Sequence, residues 1–273
     1  MPIDLYIYSG LGNIIAIIDS LRNDISINSE DVLKIYQNHK IDFDQLIMVL
    51  PPKEPKNDFD AKIFNNDGSI ASNCINGARC VSKFIEDYSL CASKKVKVKT
   101  DGGIWYLESL SEDKFSASFE FLEEINQVTL DIEGQELLLE CIELGNPHGV
   151  TFVDRDSKVD LSVMGEKLQT NKLFPDGVNF GLANKVNDNE INLKVYERGV
   201  GETLACGSGA CAAAVIGISN KAMSSPVKVN FKQGSILVDY KIGSRKIYAC
   251  LLYTSDAADE GLGVDLGGRR IIK

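Results

Sequence analysis

The chain of 273 residues is short of what a nucleic-acid or membrane partner would require. Its 29 lysines and arginines are outnumbered by 39 acidic residues, giving a formal charge of −10 at pH 7. Polyanions and anionic bilayers are therefore disfavoured as partners. The longest apolar runs, such as Ile14-Ile15-Ala16-Ile17-Ile18, fall far below the roughly 20 residues that span a bilayer. The first residues, Met1-Pro2-Ile3-Asp4, lack the basic segment and apolar core of an export signal. The expectation is a cytoplasmic protein with no nucleic-acid and no membrane partner. Histidine is scarce, with only His39 and His148, and the seven cysteines include no Cys-x-x-Cys pair. That leaves no basis for a metal site. The odd cysteine count fits a reducing compartment better than a disulfide framework.

What the chain does have is one cysteine loop written twice. Cys74-Ile75-Asn76-Gly77-Ala78 and Cys206-Gly207-Ser208-Gly209-Ala210 each open an apolar helical stretch, 132 positions apart. The flanks repeat too. Asn13 precedes Cys74 by 61 residues and Asn146 precedes Cys206 by 60. Gln45 and Asn179 precede their cysteines by 29 and 27, and Asn65 and Glu197 each precede theirs by nine. A glycine, Gly102 or Gly234, follows each cysteine by 28. Matched offsets of this number argue for a duplicated supersecondary unit, in which two related halves each offer one cysteine to a shared cleft.

The local patterns are strand-rich. Lys95 to Lys99 alternates lysine with valine, a half-buried strand, and Asp101-Gly102-Gly103 turns it into Ile104 to Leu107. Val227 to Phe231, a turn at Gln233-Gly234-Ser235, and Ile236 to Val238 repeat the device. Further strands are expected at Leu5 to Tyr8, Leu46 to Leu50, Phe115 to Phe121, Leu137 to Ile142 and Ile191 to Glu197. Helices are expected at Ser29 to Gln37, Asn76 to Ile85, Leu161 to Leu168 and Gly207 to Ser219. Strands joined by turns as well as helices read as α+β rather than a doubly wound sheet, with the halves meeting near Glu120 to Gln127.

A glycine-containing loop entering a helix presents free N–H groups and the positive end of the helix dipole. Such a loop favours a thiolate, and equally a bound carboxylate. Two such loops could place a thiol on either side of a stereocentre, one removing a proton and the other delivering one, while N–H donors stabilise the carbanion. Cysteine before a helix is usually core packing, the reading given to Cys80, Cys91, Cys141 and Cys211. Cys74 and Cys206 differ by occupying equivalent points of the repeat. His148 lies in a turn beside Asn146, where lining the site and simple turn structure stand equal. His39 reads as a surface residue. Glu197-Arg198 ends a strand. It reads either as a solvated ion pair or as a carboxylate plus a planar fork for a substrate carboxylate.

Several longer segments carry a resemblance. Gly10-Leu11-Gly12-Asn13, Phe43-Asp44-Gln45, Asn65-Asn66-Asp67-Gly68-Ser69, Asn73-Cys74-Ile75-Asn76-Gly77-Ala78-Arg79-Cys80, Gly145-Asn146-Pro147-His148 and Glu197-Arg198 through Ala210 resemble diaminopimelate epimerase, in that order, over roughly residues 5 to 249. The resemblance implies an α+β fold of two pseudo-symmetric domains, residues 1–120 and 121–249. Each would be a strand-rich, barrel-like sheet around a central helix, with the active site at their interface. It implies cofactor-independent interconversion of LL- and meso-diaminopimelate, in lysine and peptidoglycan precursor synthesis, with Cys74 and Cys206 as the acid–base pair. Asn13, Gln45, Asn65, Ile75, Asn76, Asn146, Asn179, Glu197, Arg198, Gly207 and Ser208 match substrate-binding positions, the residues after each cysteine through their backbone, and His148 an auxiliary one. The partner implied is a small amino-acid substrate, and a homodimer stays open. Three departures stand out: Ile14-Ile15 where the family has Asp-Phe, Ile75 where it has glycine, and Ile70 where it has glutamate. Ile75 is expected to restrict the loop's dihedrals. A related two-cysteine enzyme of the proline-racemase type, and a thiol redox protein, are the alternatives.

The last stretch breaks the pattern. Cys250-Leu251-Leu252-Tyr253-Thr254-Ser255-Asp256-Ala257-Ala258-Asp259-Glu260 reads as a translated sequencing-library adapter. Residues 250–273 are therefore expected not to be native, and the closing strand of the family's fold to be missing, leaving an unpaired sheet edge.

Overall fold

The computed structural model describes residues 2–10, 13–21, 25–39, 42–111, 114–121, 124–132, 134–232, 234–244, 246–251, 260–265 and 270–271. The chain divides into two compact units, residues 1–117 with 253–273, and residues 118–252. Strands dominate, and in both units they pair in parallel as well as antiparallel fashion.

The first unit contains β1 (Pro2–Gly10), β2 (Asn13–Asp19), α1 (Ser29–His39), β3 (Gln45–Leu50), β4 (Phe59–Asn65), β5 (Ile70–Ala71), α2 (Ile75–Asp87), β6 (Lys95–Thr100) and β7 (Gly103–Ser111). β1 pairs antiparallel with β2, β3 with β4, and β6 with β7. The other two neighbours, β2 with β3 and β4 with β6, are parallel. Those parallel steps need crossovers, which α1 and α2 supply. Odd-numbered residues of the central strands (Ile15, Ile17, Ile47, Val49, Ala61, Ile63) pack with Ala78, Val81, Phe84 and Ile85 of α2. Even-numbered ones (Ala16, Ile18, Leu46, Met48, Phe64) pack with Val32 and Ile35 of α1. The sheet is thus buried on both faces, and this explains the unbroken run Ile14–Ile18: a strand covered on both sides does not alternate.

β8 (Lys114–Glu120) spans the division between the units. The second unit has β9 (Asn126–Ile132), β10 (Gln135–Glu143), β11 (Pro147–Phe152), α3 (Leu161–Gln169), β12 (Asn179–Asn187), β13 (Glu190–Glu197), β14 (Gly201–Thr203), α4 (Gly207–Ser219), β15 (Val227–Phe231), β16 (Gly234–Tyr240) and β17 (Lys246–Leu251). Its pairings repeat the first unit's sequence of senses: β10–β11 antiparallel, β11–β12 parallel across α3, β12–β13 antiparallel, β13–β15 parallel across α4, β15–β16 antiparallel. In α4 nearly every side chain is buried, and Ala, Val, Ile and Cys cover its whole circumference. A helix apolar all round must be surrounded by protein, and α4 packs against β10, β11, β12, β13, β15, β16 and β17.

The four expected helices all form, and α4 has the expected bounds. Strands β2, β4, β9, β11, β12, β14 and β17 were not legible locally. In the tail, residues 252–259 lie outside the described residues, as do Leu11, Gly12, Gln233 and the side chain of His39. Residues 260–265 form β18 (Glu260–Asp265), which pairs antiparallel with β1 from Ile7↔Glu260 to Pro2↔Asp265, and β19 (Arg270–Ile271) pairs with β18. The expected unpaired edge is therefore occupied on β1: the segment supplies backbone N–H and C=O groups to the ladder whatever its side chains. Among the described residues no helix is long and apolar enough to cross a membrane.

Close packing sets one test. A Cβ added to Gly165 of α3 would sit 2.2 Å from Cγ of Tyr196, beside Glu197. Gly165→Ala is expected to lower stability by about 1–3 kcal/mol, whereas Val200→Ala, at a residue 74% exposed, should change it by under about 0.5 kcal/mol. Denaturant unfolding of the two variants measures the contrast.

Candidate active site at two cysteine-capped helices

The helices of each unit start in two different ways. On α1, Asn28 Oδ1 accepts from the N–H groups of Glu30 and Asp31 at 2.9 and 3.1 Å, and Asp31 reaches back to Asn28 N–H, a capping box. On α3, Asp160 accepts from Val163 N–H at 2.9 Å. These are strong caps. On the two interior helices the cap is a cysteine. Cys74 (φ −151°, ψ 108°) accepts from Gly77 N–H at 3.1 Å, and Cys206 (φ −135°, ψ 114°) from Gly209 N–H at 3.4 Å. Sulfur is a weak acceptor, so neither helix gains from it what serine or aspartate would give. The glycine three positions on has little room for a side chain. A Cβ at Gly77 would collide with Ile47 Cδ1 and lie 3.1 Å from Cys74 Sγ, and one at Gly209 would lie 3.2 Å from Val195 Cγ1.

In the first unit the strand register brings the amides together. Ile15 pairs with Gln45 across β2–β3, and Gln45 with Asn65 across β3–β4. Gln45 Nε2 donates to Asn65 Oδ1 at 3.0 Å, and Asn65 Nδ2 donates to Ser69 Oγ at 2.9 Å. Asn76, in the first turn of α2, donates through Nδ2 to Asn13 Oδ1 at 2.8 Å. It is 4% exposed, and its own Oδ1 is a buried acceptor with no donor among the described residues. Asn73 holds the cysteine loop from the other side by accepting from Trp105 Nε1 at 2.7 Å. Ile75 corrects an expectation. It is the first residue of α2, where helical dihedrals suit any L-residue, and its side chain is buried. The departure from glycine costs the loop no dihedral freedom that it uses. Ile15 is core, and Ile70 is 54% exposed.

In the second unit Asn179 pairs with His148 in the parallel β11–β12 ladder. Both sides of its amide meet backbone: Nδ2 donates to Pro147 C=O at 3.2 Å, and Oδ1 accepts from Arg198 N–H at 3.0 Å. Arg198 is exposed, and its Nη1 donates to Asp176 C=O at 3.3 Å. His148 is buried and meets Asn146 Oδ1 through Nε2 at 3.0 Å, the nitrogen that must then carry its proton. Burial, with the Arg198 charge adding to it, lowers the His148 pKa to about 3. Glu197 Oε1 accepts from Thr203 Oγ1 at 2.5 Å, and Ser208 Oγ lies 3.4 Å from Cys206 Sγ. The Cys206 thiol is pushed well above its ordinary pKa, first by burial and then by the Glu197 carboxylate. The Ser208 and Gly209 donors pull the other way and lose.

Of the supporting residues, Ser69, Asn73 and Thr203 fall inside the matched segments with no role assigned to them there, and Gln169 lies outside them. Gln169 fixes the backbone before Asn179 by donating to Val178 C=O at 2.9 Å. Of the cysteines assigned to packing, Cys80 and Cys211 are buried, and Cys91 and Cys141 are half-buried. All four are free thiols, and burial raises Cys141 to about 11. Among the described residues no group of three or more metal-ligating side chains occurs.

The family model described as diaminopimelate epimerase matches residues 5–119 and 140–254, once over each half. The chain belongs to the diaminopimelate epimerase family. It is 36% identical over 244 residues to a diaminopimelate epimerase of Pseudomonas syringae pv. tomato, covering 85% of this chain and 88% of that one. It is 34% identical over 245 residues to one of Teredinibacter turnerae, covering 85% and 89%. Among solved structures, a hydroxyproline epimerase from Agrobacterium vitis aligns at TM-score 0.68 and 12% identity over 98% of this chain and 94% of that one. A probable proline racemase from Agrobacterium radiobacter aligns at 0.68 and 14%, covering 94% and 93%. A Bacillus anthracis phenazine biosynthesis protein of the PhzF family aligns at 0.65 and 14%, covering 97% and 99%. These likenesses show a shared fold. Membership of the epimerase family makes the protein an isomerase.

Two outcomes follow from the electrostatics. Removing the Glu197 charge lowers the Cys206 pKa and raises its thiolate fraction at a given pH. Alkylation of Cys206 at pH 8 should therefore be about 3–10-fold faster in Glu197→Gln, as read by mass spectrometry. For His148 the folded pKa lies below the unfolded value of 6.5. The unfolded state thus binds the extra proton, and stability falls as pH drops from about 6.5 toward 3. Between pH 7 and 5 the parent should lose about 2 kcal/mol more than His148→Gln, measured by chemical denaturation at each pH.

Proposed function

We propose that this protein interconverts LL- and meso-diaminopimelate without a cofactor, Cys74 and Cys206 acting from opposite faces of one α-carbon. The observation that carries this reading is the placement of a cysteine as N-cap of both interior helices, where the two surface helices use asparagine and aspartate. A thiol kept where a better cap is available is kept for its chemistry. The N–H groups at each helix start, those of Ile75 and Asn76 in one half and of Gly207 and Ser208 in the other, suit the reacting carboxylate, whose charge grows as the α-proton leaves. Cys206, held protonated at rest by burial and Glu197, begins as the proton donor and Cys74 as the base. Each turnover leaves Cys74 protonated and Cys206 as thiolate, the form that runs the reverse reaction, and proton exchange with solvent resets the pair.

The substrate's second amino-acid head is the reason to prefer diaminopimelate over a proline-type substrate. The exposed Arg198 offers a planar fork to a distal carboxylate, and Asn13, Gln45, Asn65, Asn146 and Asn179 form an amide set larger than a single head requires. Identity of 34–36% to diaminopimelate epimerases, against 12–14% to the proline-type structures, supports the same choice. A thiol redox role would leave Arg198 and the amides without purpose. His148, buried and uncharged, serves as a neutral neighbour to the reacting centre. This reading includes a barrel-like closure of each half, residues 1–120 and 121–249, a cytoplasmic location, and a homodimer as the assembly to test.

Incubation of the purified protein with LL-diaminopimelate and no added cofactor should yield the meso isomer, resolved by chiral chromatography. Cys74→Ala and Cys206→Ala should each lower kcat/KM by about 10²–10⁴-fold or more. A variant lacking either thiol that still epimerises at the parent rate would sink the two-cysteine mechanism.

A further inference from the structure

Asp44 carries no assigned role, yet its bonds reach the backbone beside three of the first unit's candidate amides. It lies just before β3, exposed to solvent, and makes three hydrogen bonds to the backbone. Its carboxylate Oδ2 accepts from Ile14 N–H at 2.7 Å. Its own N–H donates to Ile14 C=O at 2.8 Å, and its C=O accepts from Asn66 N–H at 3.1 Å. Each bond falls one residue from an amide of the candidate site: Ile14 follows Asn13, Asn66 follows Asn65, and Asp44 precedes Gln45. Two of the three use the backbone and survive any substitution. The third is specific to the side chain, and a charge-assisted bond of this length is the strongest kind.

That third bond bears on the cysteine through a short chain of contacts. It fixes Ile14 and so the backbone of Asn13. Asn13 Oδ1 accepts from Asn76 Nδ2 at 2.8 Å, and Asn76 stands in the first turn of the helix that Cys74 caps. The Asn13 contact holds the Asn76 amide through Nδ2 and leaves its buried Oδ1 without a donor among the described residues. We infer that Asp44 is a positioning residue, whose carboxylate sets Asn13 against Asn76 beside the Cys74 loop. The inference rests on the epimerase reading for its kinetic consequence and on geometry alone for its structural one.

The experiment compares Asp44→Ala with Asp44→Asn, which keeps an oxygen able to accept from Ile14 N–H. With LL-diaminopimelate, Asp44→Ala should lose about 10–100-fold in kcat/KM, and Asp44→Asn should recover to within about 5-fold of the parent. In the double variant Asp44→Ala/Asn13→Ala the loss should be no greater than in Asn13→Ala alone, because residues acting through one contact do not add. Amide hydrogen exchange at Ile14, which requires no catalysis, should quicken at least about tenfold in Asp44→Ala and stay slow in Asp44→Asn. Asp44→Ala within twofold of the parent, equal losses in the alanine and asparagine variants, or additive losses in the double variant would overturn the inference. A parent protein inactive on diaminopimelate would defeat the epimerase reading instead, and Ile14 exchange would then decide the structural claim by itself. If Asp44→Ala did not fold, Ile14 exchange in the parent and in Asp44→Asn would still decide it. Fast exchange in the parent would show that the bond does not hold Ile14.

Discussion

The N-terminus of a buried helix must have its free N–H groups met by something, and in both halves of this chain that something is a thiol. The rest of the architecture follows from where those two helix starts must be. An interior helix with no polar face has to be wrapped by sheet, and α4 is so wrapped. Parallel neighbours in that sheet require crossovers, and the crossover preceding each β6-type strand is the helix with the cysteine cap. The position three residues after each cysteine has little room for a side chain, because Ile47 and the Cys74 sulfur crowd Gly77 and Val195 crowds Gly209. Burying the helix makes its first turn a fixed array of donors, and it also raises the cost of charge on the sulfur itself.

That tension is visible at Cys206. Donors from Gly209 and Ser208 favour the thiolate, whereas burial and the Glu197 carboxylate favour the thiol, and the latter win. The two halves share a ladder of pairings but differ in what they place at the cap. The first carries neutral amides at its matched positions, Asn13, Gln45 and Asn65, with Asn76 in the first turn of the capped helix. The second adds ionisable and orienting groups, Glu197 held by Thr203, Arg198 held at its backbone by Asn179, and His148 kept neutral by burial. The pattern of pairings thus occurs twice, while equivalent positions differ in residue type, Asn65 against Glu197 above all.

How much of this could be read from residues alone depended on which faces were buried. β6 was legible because lysine and valine alternate across one wet and one dry face, and α4 because Gly207 and Ser219 bound an apolar run. β2 was not, since Ile14–Ile18 is covered on both faces and shows no period. The matched offsets picked out the candidate residues. The mismatch of 29 against 27 has a local cause: the β3–β4 connection runs from Leu50 to Phe59, whereas β12 and β13 are joined by a turn between Asn187 and Glu190. Which groups Asp44, Asn73, Gln169 and Thr203 hold was not legible, because those partners are separated from them along the chain and are often backbone groups. Ile75 misled in the opposite direction. It breaks a motif by residue type while keeping the one thing the motif supplies there, a helical backbone N–H.

The central claim is that two thiols, not one base and not a cofactor, move the α-proton. Its most direct measurement is the early course of the reaction with LL-diaminopimelate in deuterated water, without cofactor, followed by mass spectrometry of substrate and product separately. The account predicts one deuterium at the inverted carbon of each new meso molecule, delivered by the acid thiol, while the remaining LL substrate stays unlabelled at low conversion. Deuterium entering the LL substrate as fast as the meso product would show a single group working both faces, and would contradict it.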